Sequence, residues 1–510
     1  METKINKYIL KKEYALRGWN NIPRALIRKD HKRIRTLNRE EFSFLLRCDG
    51  AGEISGAEAE PLIRDFLEKG IILPVFPGND ARLNEWQEYH YYDNEFRPFM
   101  NIEITRRCNY HCLHCFNEGG KHAAPAEISY ENIIKILDEA KDIGVQAILI
   151  TGGEPLCHPR FMDILKAVYD RNMHVFEINT NGVLLTKELL SRIKETGCRA
   201  LMKISFDGLG FHDWMRNSAG AQSRALKAIR DTIDSGFRAM VQMNINRVNK
   251  NAVLPSLSLL DEMGVSHTRI IRTTEAPEWK KNAGDGCLGW TEYYTECLKA
   301  VAGYLSRGNR KMSVNCWEFL TVDPVRKRFS ADPVRYNKET FRPSMPLCKC
   351  VKGMISISAE GNLLPCMMQS GGMEKAGLSL ENIFDRRSPG GLIKKGTYAR
   401  AVQFTIADKI QKNPKCASCP FLTYCGGGCT ALSQLCESNY FGSDHAKCIF
   451  FRDGWHKRIA SALPGYEDLA PISDEDKIDY SAMMLYNIDE HPACELYDDS
   501  SLINGYYPKH

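Results

Sequence analysis

Three cysteines are spaced Cys108-x3-Cys112-x2-Cys115 within the short run Arg106-Arg-Cys108-Asn-Tyr-His-Cys112-Leu-His-Cys115. Thiolates at this spacing can hold three irons of a [4Fe–4S] cube and leave the fourth iron without a protein ligand. An open metal position is what separates a catalytic metal from a structural one. Zinc is the alternative at this stage, because His111 or His114 could complete a tetrahedral set. A second group of cysteines lies far downstream. It comprises Cys348, Cys350, Cys366 at the end of Gly361-Asn-Leu-Leu-Pro-Cys366, the run Cys416-x2-Cys419-x5-Cys425-x3-Cys429, and Cys448. Taken alone, the run from 416 to 429 is open to zinc as well.

The chain has nineteen cysteines in 510 residues, and its polar start, Met1-Glu-Thr-Lys-Ile-Asn-Lys, is not followed by an apolar export segment. A disulfide framework is therefore not expected, and a cytoplasmic location is. The composition, 43% hydrophobic and 26% charged, is that of a soluble globular protein. No apolar run reaches the ~18 residues of a membrane span, so no membrane partner is expected. A net charge of +5 does not by itself indicate nucleic acid. Basic residues concentrate between 7 and 39, and the last fifty residues are acidic. Cys48, Cys157, Cys198, Cys287, Cys297, Cys316, Cys436 and Cys494 fall outside both cysteine groups and read as ordinary thiols.

The elements that position the cysteines follow from hydrophobic period. Residues 1–80 read as a small α+β unit. Tyr8-Ile-Leu, Ala25-Leu-Ile and Ile34–Leu37 suggest a strand meander, and a helix capped by Asn38 and Glu41 stops at Gly50. A second helix covers 58–69, and Ile71–Val75 closes the unit. Residues 81–97 read as a linker. From 98 to 309, strand-like segments at 99–105, 145–151, 174–179, 200–206, 237–245 and 268–272 alternate with amphipathic stretches, which implies an α/β fold with a parallel sheet. Six such units make an incomplete barrel, whose chemistry belongs at the C-terminal strand ends. Residues 310–460 are rich in Cys, Gly and Pro and suit a metal-stapled domain. Residues 461–510 form an acidic tail.

Polar residues do follow the strands. Strand two runs into Thr151-Gly152-Gly153-Glu154-Pro155, and strand three ends at Thr180-Asn181-Gly182. Strand four gives Ser205-Phe-Asp207-Gly208, followed by His212-Asp-Trp-Met-Arg216. With Cys108, Cys112 and Cys115, the Gly-Gly-Glu-Pro segment resembles the radical S-adenosylmethionine (SAM) superfamily. That resemblance implies a partial (β/α)6 barrel in which the open iron chelates SAM and one electron releases a 5′-deoxyadenosyl radical. It further implies that Gly152, Gly153, Glu154 and Pro155 contact the methionine amine. Ser205 and Arg216 would meet the ribose or carboxylate, His114 would lie near the adenine, and Asn181 and Asp207 would complete the cofactor site. No residue is singled out as a catalytic acid or base.

The downstream cysteines resemble the SPASM domain, which implies two auxiliary [4Fe–4S] clusters and hence three clusters in all. Cys348, Cys350, Cys366 and Cys429 would hold one cluster, and Cys416, Cys419, Cys425 and Cys448 the other. The order of elements in residues 1–80 resembles the winged-helix peptide-recognition element of peptide-maturing enzymes. Such modules take an extended leader as an added strand, and the basic face at 24–39 suits an acidic one. The implied function is maturation of a ribosomally made precursor peptide through a thioether or carbon–carbon crosslink. An electron donor such as flavodoxin or ferredoxin would supply the reducing equivalent. Anaerobic sulfatase-type maturation is a rival, against which stand Met367, where those enzymes carry Asp, and the additional N-terminal module. Peptide epimerisation is another. A redox-sensing DNA-binding protein is the rival of a different class, and it leaves Gly152–Pro155 and Arg216 unexplained.

Overall fold

A computed structural model describes residues 6–20, 22–28, 34–79, 81–94, 96–116, 126–348, 354–369, 381–385, 404–473 and 478–481. The N-terminal part is built from two small sheets. Strands β1 (Lys7–Leu10), β2 (Tyr14–Trp19), β3 (Ala25–Arg28) and β4 (Ile34–Thr36) are followed by helix α1 (Arg39–Leu46), β5 (Asp49–Glu53), α2 (Glu60–Glu68) and β6 (Ile72–Val75). One sheet has the order β5-β1-β6, and the other β4-β3-β2-β7, where β7 is His90–Tyr92. The expected capping box at α1 is present: Asn38 Oδ1 accepts from Glu41 N, and Glu41 Oε2 accepts from Asn38 N. Leu10, Leu16, Phe44, Leu45 and Phe66 close this core.

Three expectations change here. The meander is β2-β3-β4, and β1 belongs to the other sheet. Helix α1 ends at Leu46 with Arg47 as its cap, while Gly50 lies inside β5. The segment 81–97, expected as a linker, supplies β7, which pairs parallel with β2. Arg17 is the clamp. Its buried guanidinium donates to the carbonyls of Leu16, Glu88 and Trp86 at 2.7, 2.8 and 2.7 Å.

The central sheet contains β8 (Phe99–Glu103), β9 (Ala147–Thr151), β10 (His174–Thr180), β11 (Leu201–Ser205), β12 (Ala239–Ile245) and β13 (His267–Arg272). All six run parallel in that order, within a residue or two of the expected bounds. They are apolar because helices cover them: Ala147, Ile148, Leu149 and Ile150 of β9 are all buried. Helix α3 (Tyr130–Asp142) is capped by Ser129 and buries Ile133, Ile136, Leu137 and Ala140. Helix α4 (Phe161–Asp170) joins β9 to β10, α5 (Lys187–Glu195) joins β10 to β11, α6 (His212–Arg216) and α7 (Ala221–Asp234) lead to β12, and α8 (Val253–Glu262) precedes β13.

The sheet does not stop at 309. Beyond β13, helix α9 (Pro277–Ala283) and helix α10 (Trp290–Leu305) lead to β14 (Ser313–Cys316), which adds in parallel to β13. The antiparallel strands β15 (Leu320–Asp323) and β16 (Arg328–Ala331) follow it. On the opposite edge, β17 (Met354–Ile357) pairs parallel with β8, and β18 (Leu363–Leu364) lies outside it. Eight neighbouring strands are thus parallel, and the sheet is open rather than closed. The Cys-rich region rests on both of its edges. Of the acidic tail, Glu467–Asp468 pairs with β16, and Tyr480 N donates to the Ala417 carbonyl at 2.9 Å. Among the described residues no helix is long and apolar enough to cross a membrane.

Candidate active site at the strand ends

The cysteine loop is stitched to the end of β9. Ile104 N donates to Thr151 O at 3.0 Å, Gly153 N to Thr105 O at 2.7 Å, and Glu154 N to Arg107 O at 2.7 Å. The two glycines are required by proximity. A Cβ on Gly152 would lie 2.5 Å from Thr105 O, and one on Gly153 would lie 2.5 Å from Arg107 O. On the far side, Leu113 N donates to Met215 O at 3.0 Å. Held this way, Cys108, Cys112 and Cys115 share one apolar cluster with Tyr110, Val183 and Ala221. Burial pushes the Cys108 thiol up to about 12. Cys112 is also raised by burial, and Arg216 opposes the rise.

Two polar side chains reach the sulfurs. Arg216 Nη1 donates to Cys112 Sγ at 3.6 Å, and Asn181 Nδ2 lies 4.0 Å from Cys108 Sγ while donating to Asn109 Oδ1 at 2.6 Å. Arg216 Nε lies 2.8 Å from Asp207 Oδ2. Burial disfavours the Asp207 charge, but Arg216, His212 and His114 outweigh it and hold the carboxyl well below the usual range. Asp207 Oδ1 accepts from Asn244 N at 3.1 Å, and Asp207 N donates to His212 Nδ1 at 2.9 Å. Asn249 Nδ2 ties the Asp207 and Asn244 carbonyls together at 2.9 and 2.8 Å. His114 Nε2 lies 3.4 Å from Asn244 Nδ2, and burial lowers its imidazole to about 4.

Glu154 is fully buried and serves a different purpose. Its carboxylate accepts from Thr180 Oγ1 at 2.8 Å, Asn181 N at 2.7 Å and Leu156 N at 3.2 Å. It locks the end of β10 to the end of β9, and burial pushes it up to about 7. Pro155 is buried and opens a short turn, while Ser205 is half-buried at the end of β11. The structure therefore brings His114, Asn181, Asp207 and Arg216 to the cysteine loop, with Gly152, Gly153 and Glu154 behind it. Asn244, Asn246 and Asn249 at the end of β12 were not anticipated. Their signal was present as Asn244-Ile-Asn-Arg-Val-Asn249 directly after an apolar strand.

These residues suit an iron–sulfur cube with a small zwitterionic ligand. Three thiols lie in an apolar setting beside a guanidinium. Buried His114 Nδ1 and His212 Nε2 lie near them without a hydrogen-bond partner among the described residues, while Arg216 Nε and Asp207 Oδ2 face each other as an ion pair. No group of three His, Cys, Asp or Glu among the described residues is closed into metal-binding geometry.

The downstream cysteines form two groups that meet at Cys425, which neighbours both Cys416 and Arg335. Cys416 neighbours Cys419 and Cys425, and Cys448 neighbours Cys416 and Cys419. Cys348 and Cys429 both face Arg335. The turn Met367–Gln369 after Cys366 packs against the helix Thr430–Glu437 that follows Cys429. Cys350 lies outside the described residues.

Comparisons with known proteins place the chain among relatives of several activities. A PqqA peptide cyclase of Granulibacter bethesdensis is 27% identical over 52% of this chain and 66% of its own length. An AdoMet-dependent heme synthase of Nitratidesulfovibrio vulgaris is 24% identical over 67% of this chain and 89% of its own. The chain spans between 43% and 66% of the length of the first three curated relatives it matches. Among solved structures, Streptococcus suis SuiB bound to its precursor peptide SuiA superposes with a TM-score of 0.59 at 16% identity. That match covers 86% of this chain and 99% of SuiB, and it shows a shared fold. The family profile of the Radical SAM superfamily matches residues 102–257, the stretch from β8 to α8 that carries the cysteine loop.

Proposed function

We propose that this protein is a radical SAM peptide maturase that forms a thioether or carbon–carbon crosslink in a ribosomally made precursor. The observation that carries the reading is the meeting of Cys108, Cys112 and Cys115 with Arg216 and Asn181 at the C-terminal ends of parallel strands. A [4Fe–4S] cube and SAM, when bound there, supply a carbon-centred radical able to take a hydrogen atom from the substrate. Arg216 favours the thiolate form of Cys112 through its charge. Asp207 pairs with Arg216 and so holds its guanidinium against Cys112. Glu154 keeps Asn181 beside Cys108, and the apolar walls exclude water.

The peptide part of the reading draws support from the peptide cyclase relative and from the fold shared with SuiB, whose structure holds a precursor peptide. Strand β6, at an edge of its sheet, exposes Leu73 and could accept a leader strand. Residues 1–80 are accordingly assigned to leader binding. Cys348, Cys350, Cys366 and Cys429, and Cys416, Cys419, Cys425 and Cys448, are assigned to two closed auxiliary clusters. Closed clusters suit the removal of the second electron that bond formation releases, with flavodoxin or ferredoxin as the external partner. Coexpression with short peptides encoded beside the gene tests the function by mass spectrometry. A loss of about two mass units is expected for a crosslink. An unchanged mass with deuterium uptake from solvent would mean epimerisation and refute the crosslink.

A further inference from the structure

A cavity of about 670 Å³ opens beyond the C-terminal ends of β12 and β13. Its wall includes Arg247 after β12, Arg272 at the end of β13, Glu275, Lys280 on α9, and Cys287 before α10. Cys287 also belongs to the apolar cluster of Met215 and Trp279, against which Leu113 of the cysteine loop packs. Asn282 Nδ2 on α9 donates to Leu113 O at 3.2 Å, so the same helix touches both the cavity and the loop. The cavity therefore lies beside the three thiols without using them.

Arg272 is the buried charge of this cavity, 8% exposed. Its guanidinium is held from two sides. Nε donates to Leu288 O at 2.5 Å, and the guanidinium carbon lies 4.9 Å from the centroid of the Trp290 ring. The remaining face forms a fork with one carboxylate: Nη1 donates to Glu275 Oε2 at 3.2 Å, and Nη2 donates to Glu275 Oε1. The two partners are unequal, because the Glu275 side chain is 49% exposed and the Arg272 side chain only 10%. Glu275 stands on the short connection 273–276 and can turn into water, whereas Arg272 is fixed by contacts that do not involve Glu275. The other charges of the wall lie nearer solvent. Arg247 pairs with Glu292 at 2.9 Å, and Arg247, Lys280 and Asp285 are exposed.

We infer that Arg272 anchors a carboxylate of the peptide substrate, and that Glu275 holds its place in the free enzyme. The inference deepens the peptide reading made above and rests on it. An incoming carboxylate takes over both guanidinium bonds while Glu275 turns to solvent, so the buried cation keeps a partner throughout. A neutral amide of the same shape cannot make this exchange, since releasing Glu275 would strip Arg272 of its counter-charge. An acidic side chain and a free peptide C-terminus present the same group, and both are sources of it.

The test uses the anaerobically reconstituted full chain with SAM and three short peptides of one background, each acetylated at its N-terminus. One has a central Glu and an amidated end, one a central Gln and a free end, and one a central Gln and an amidated end. Binding is read from broadening of the peptide proton signals. Glu275→Gln frees the fork, so a carboxylate peptide should bind about tenfold tighter than it binds the parent, and the neutral peptide should not change. Gain by the first peptide identifies a side chain as the source, and gain by the second identifies the terminus. Adding Arg272→Gln to Glu275→Gln should cancel the gain. A Glu275→Gln protein that binds neither carboxylate peptide more tightly overturns the inference. So does an equal gain for the neutral peptide, which would mark added space, or a gain that survives Arg272→Gln. Glutarate separates the two readings. If no peptide binds but glutarate gains about tenfold in Glu275→Gln, the carboxylate site stands and the peptide reading fails. If glutarate fails as well, the inference itself is refuted.

Discussion

Replacing Gly153 by alanine puts one methyl group into the backbone that leads to Cys108. The new Cβ would lie 2.5 Å from Arg107 O, 2.6 Å from Arg106 O and 2.9 Å from Arg106 C. All three are main-chain atoms and cannot swing away. Restoring an ordinary contact requires the Arg106–Arg107 backbone to move about 1 Å. Overpacking of this size costs about 1–3 kcal/mol. The same movement strains the hydrogen bonds from Gly153 N to Thr105 O and from Glu154 N to Arg107 O. A misplacement of about 1 Å next to a reacting centre lowers rates about 100-fold. Gly197→Ala is the matched control. It has φ +86° and nothing within 4 Å of an added Cβ, so it costs roughly 1–2 kcal/mol of backbone strain away from the loop. The assay is 5′-deoxyadenosine formation from SAM under dithionite, read beside iron content and thermal midpoint. The two variants should lose similar stability, and only Gly153→Ala should lose the rate. SAM cleavage by Gly153→Ala within about twofold of the parent would refute the argument that this contact sets the loop.

Changing Cys108, Cys112 and Cys115 together to alanine should reduce iron from about twelve to about eight per chain and abolish SAM cleavage, as measured by iron analysis and chromatography. Removing residues 1–80 should spare SAM cleavage and strongly reduce peptide modification; full modification by the truncated enzyme would disprove leader binding there. Asp332 accepts from Asn315 Nδ2 at 2.8 Å and from Thr321 Oγ1 at 2.7 Å, and burial pushes it up to about 6. The folded protein therefore binds this proton more tightly than the unfolded chain. Its contribution is full below the ordinary aspartate range and is lost as pH rises to about 6, worth roughly 3 kcal/mol at most. Asp332→Asn should remove that slope from thermal midpoints taken between about pH 4 and about pH 7.

The six central strands were legible because strands buried on both faces read as continuous apolar runs, Ala147–Ile150 most plainly. The cysteine loop was legible because metal ligation imposes spacing on sequence. Strand β2 was not, since Tyr-Ala-Leu-Arg-Gly-Trp carries an arginine that polarity assigns to the surface. Arg17 is buried because three carbonyls from two chain segments satisfy it, and one sequence position cannot announce partners about seventy residues away. Strand β5, Asp-Gly-Ala-Gly-Glu, has no strand signature of its own and exists through pairing with β1. The resemblance implies a ligand contact for Gly152 and Gly153, and the structure adds a second demand on them, the close approach of the Thr105–Arg107 backbone. The distinction depends on what packs opposite, which spacing does not encode.

The pairing of β17 with β8 also bears on the order in which the molecule is made. Met354–Ile357 lies beside Phe99–Ile102, Ala359 N donates to Glu103 Oε2 at 3.2 Å, and Arg106 Nε meets Glu360 Oε1 at 2.8 Å. On a translating ribosome, at roughly 5–20 residues per second, the first strand emerges roughly 13–50 s before its outer neighbour. Through that interval β8 has an unpaired edge, and the run from Arg106 to Cys115 lacks its downstream anchor. Metal delivered to the nascent chain would meet three thiols on an unfinished loop. The stable order is synthesis of both halves, then closure of the β8 edge, then cofactor insertion at a loop already fixed from each side. Enzyme made where iron arrives early should accumulate misloaded chains, and slowing translation after residue 320 should increase their number.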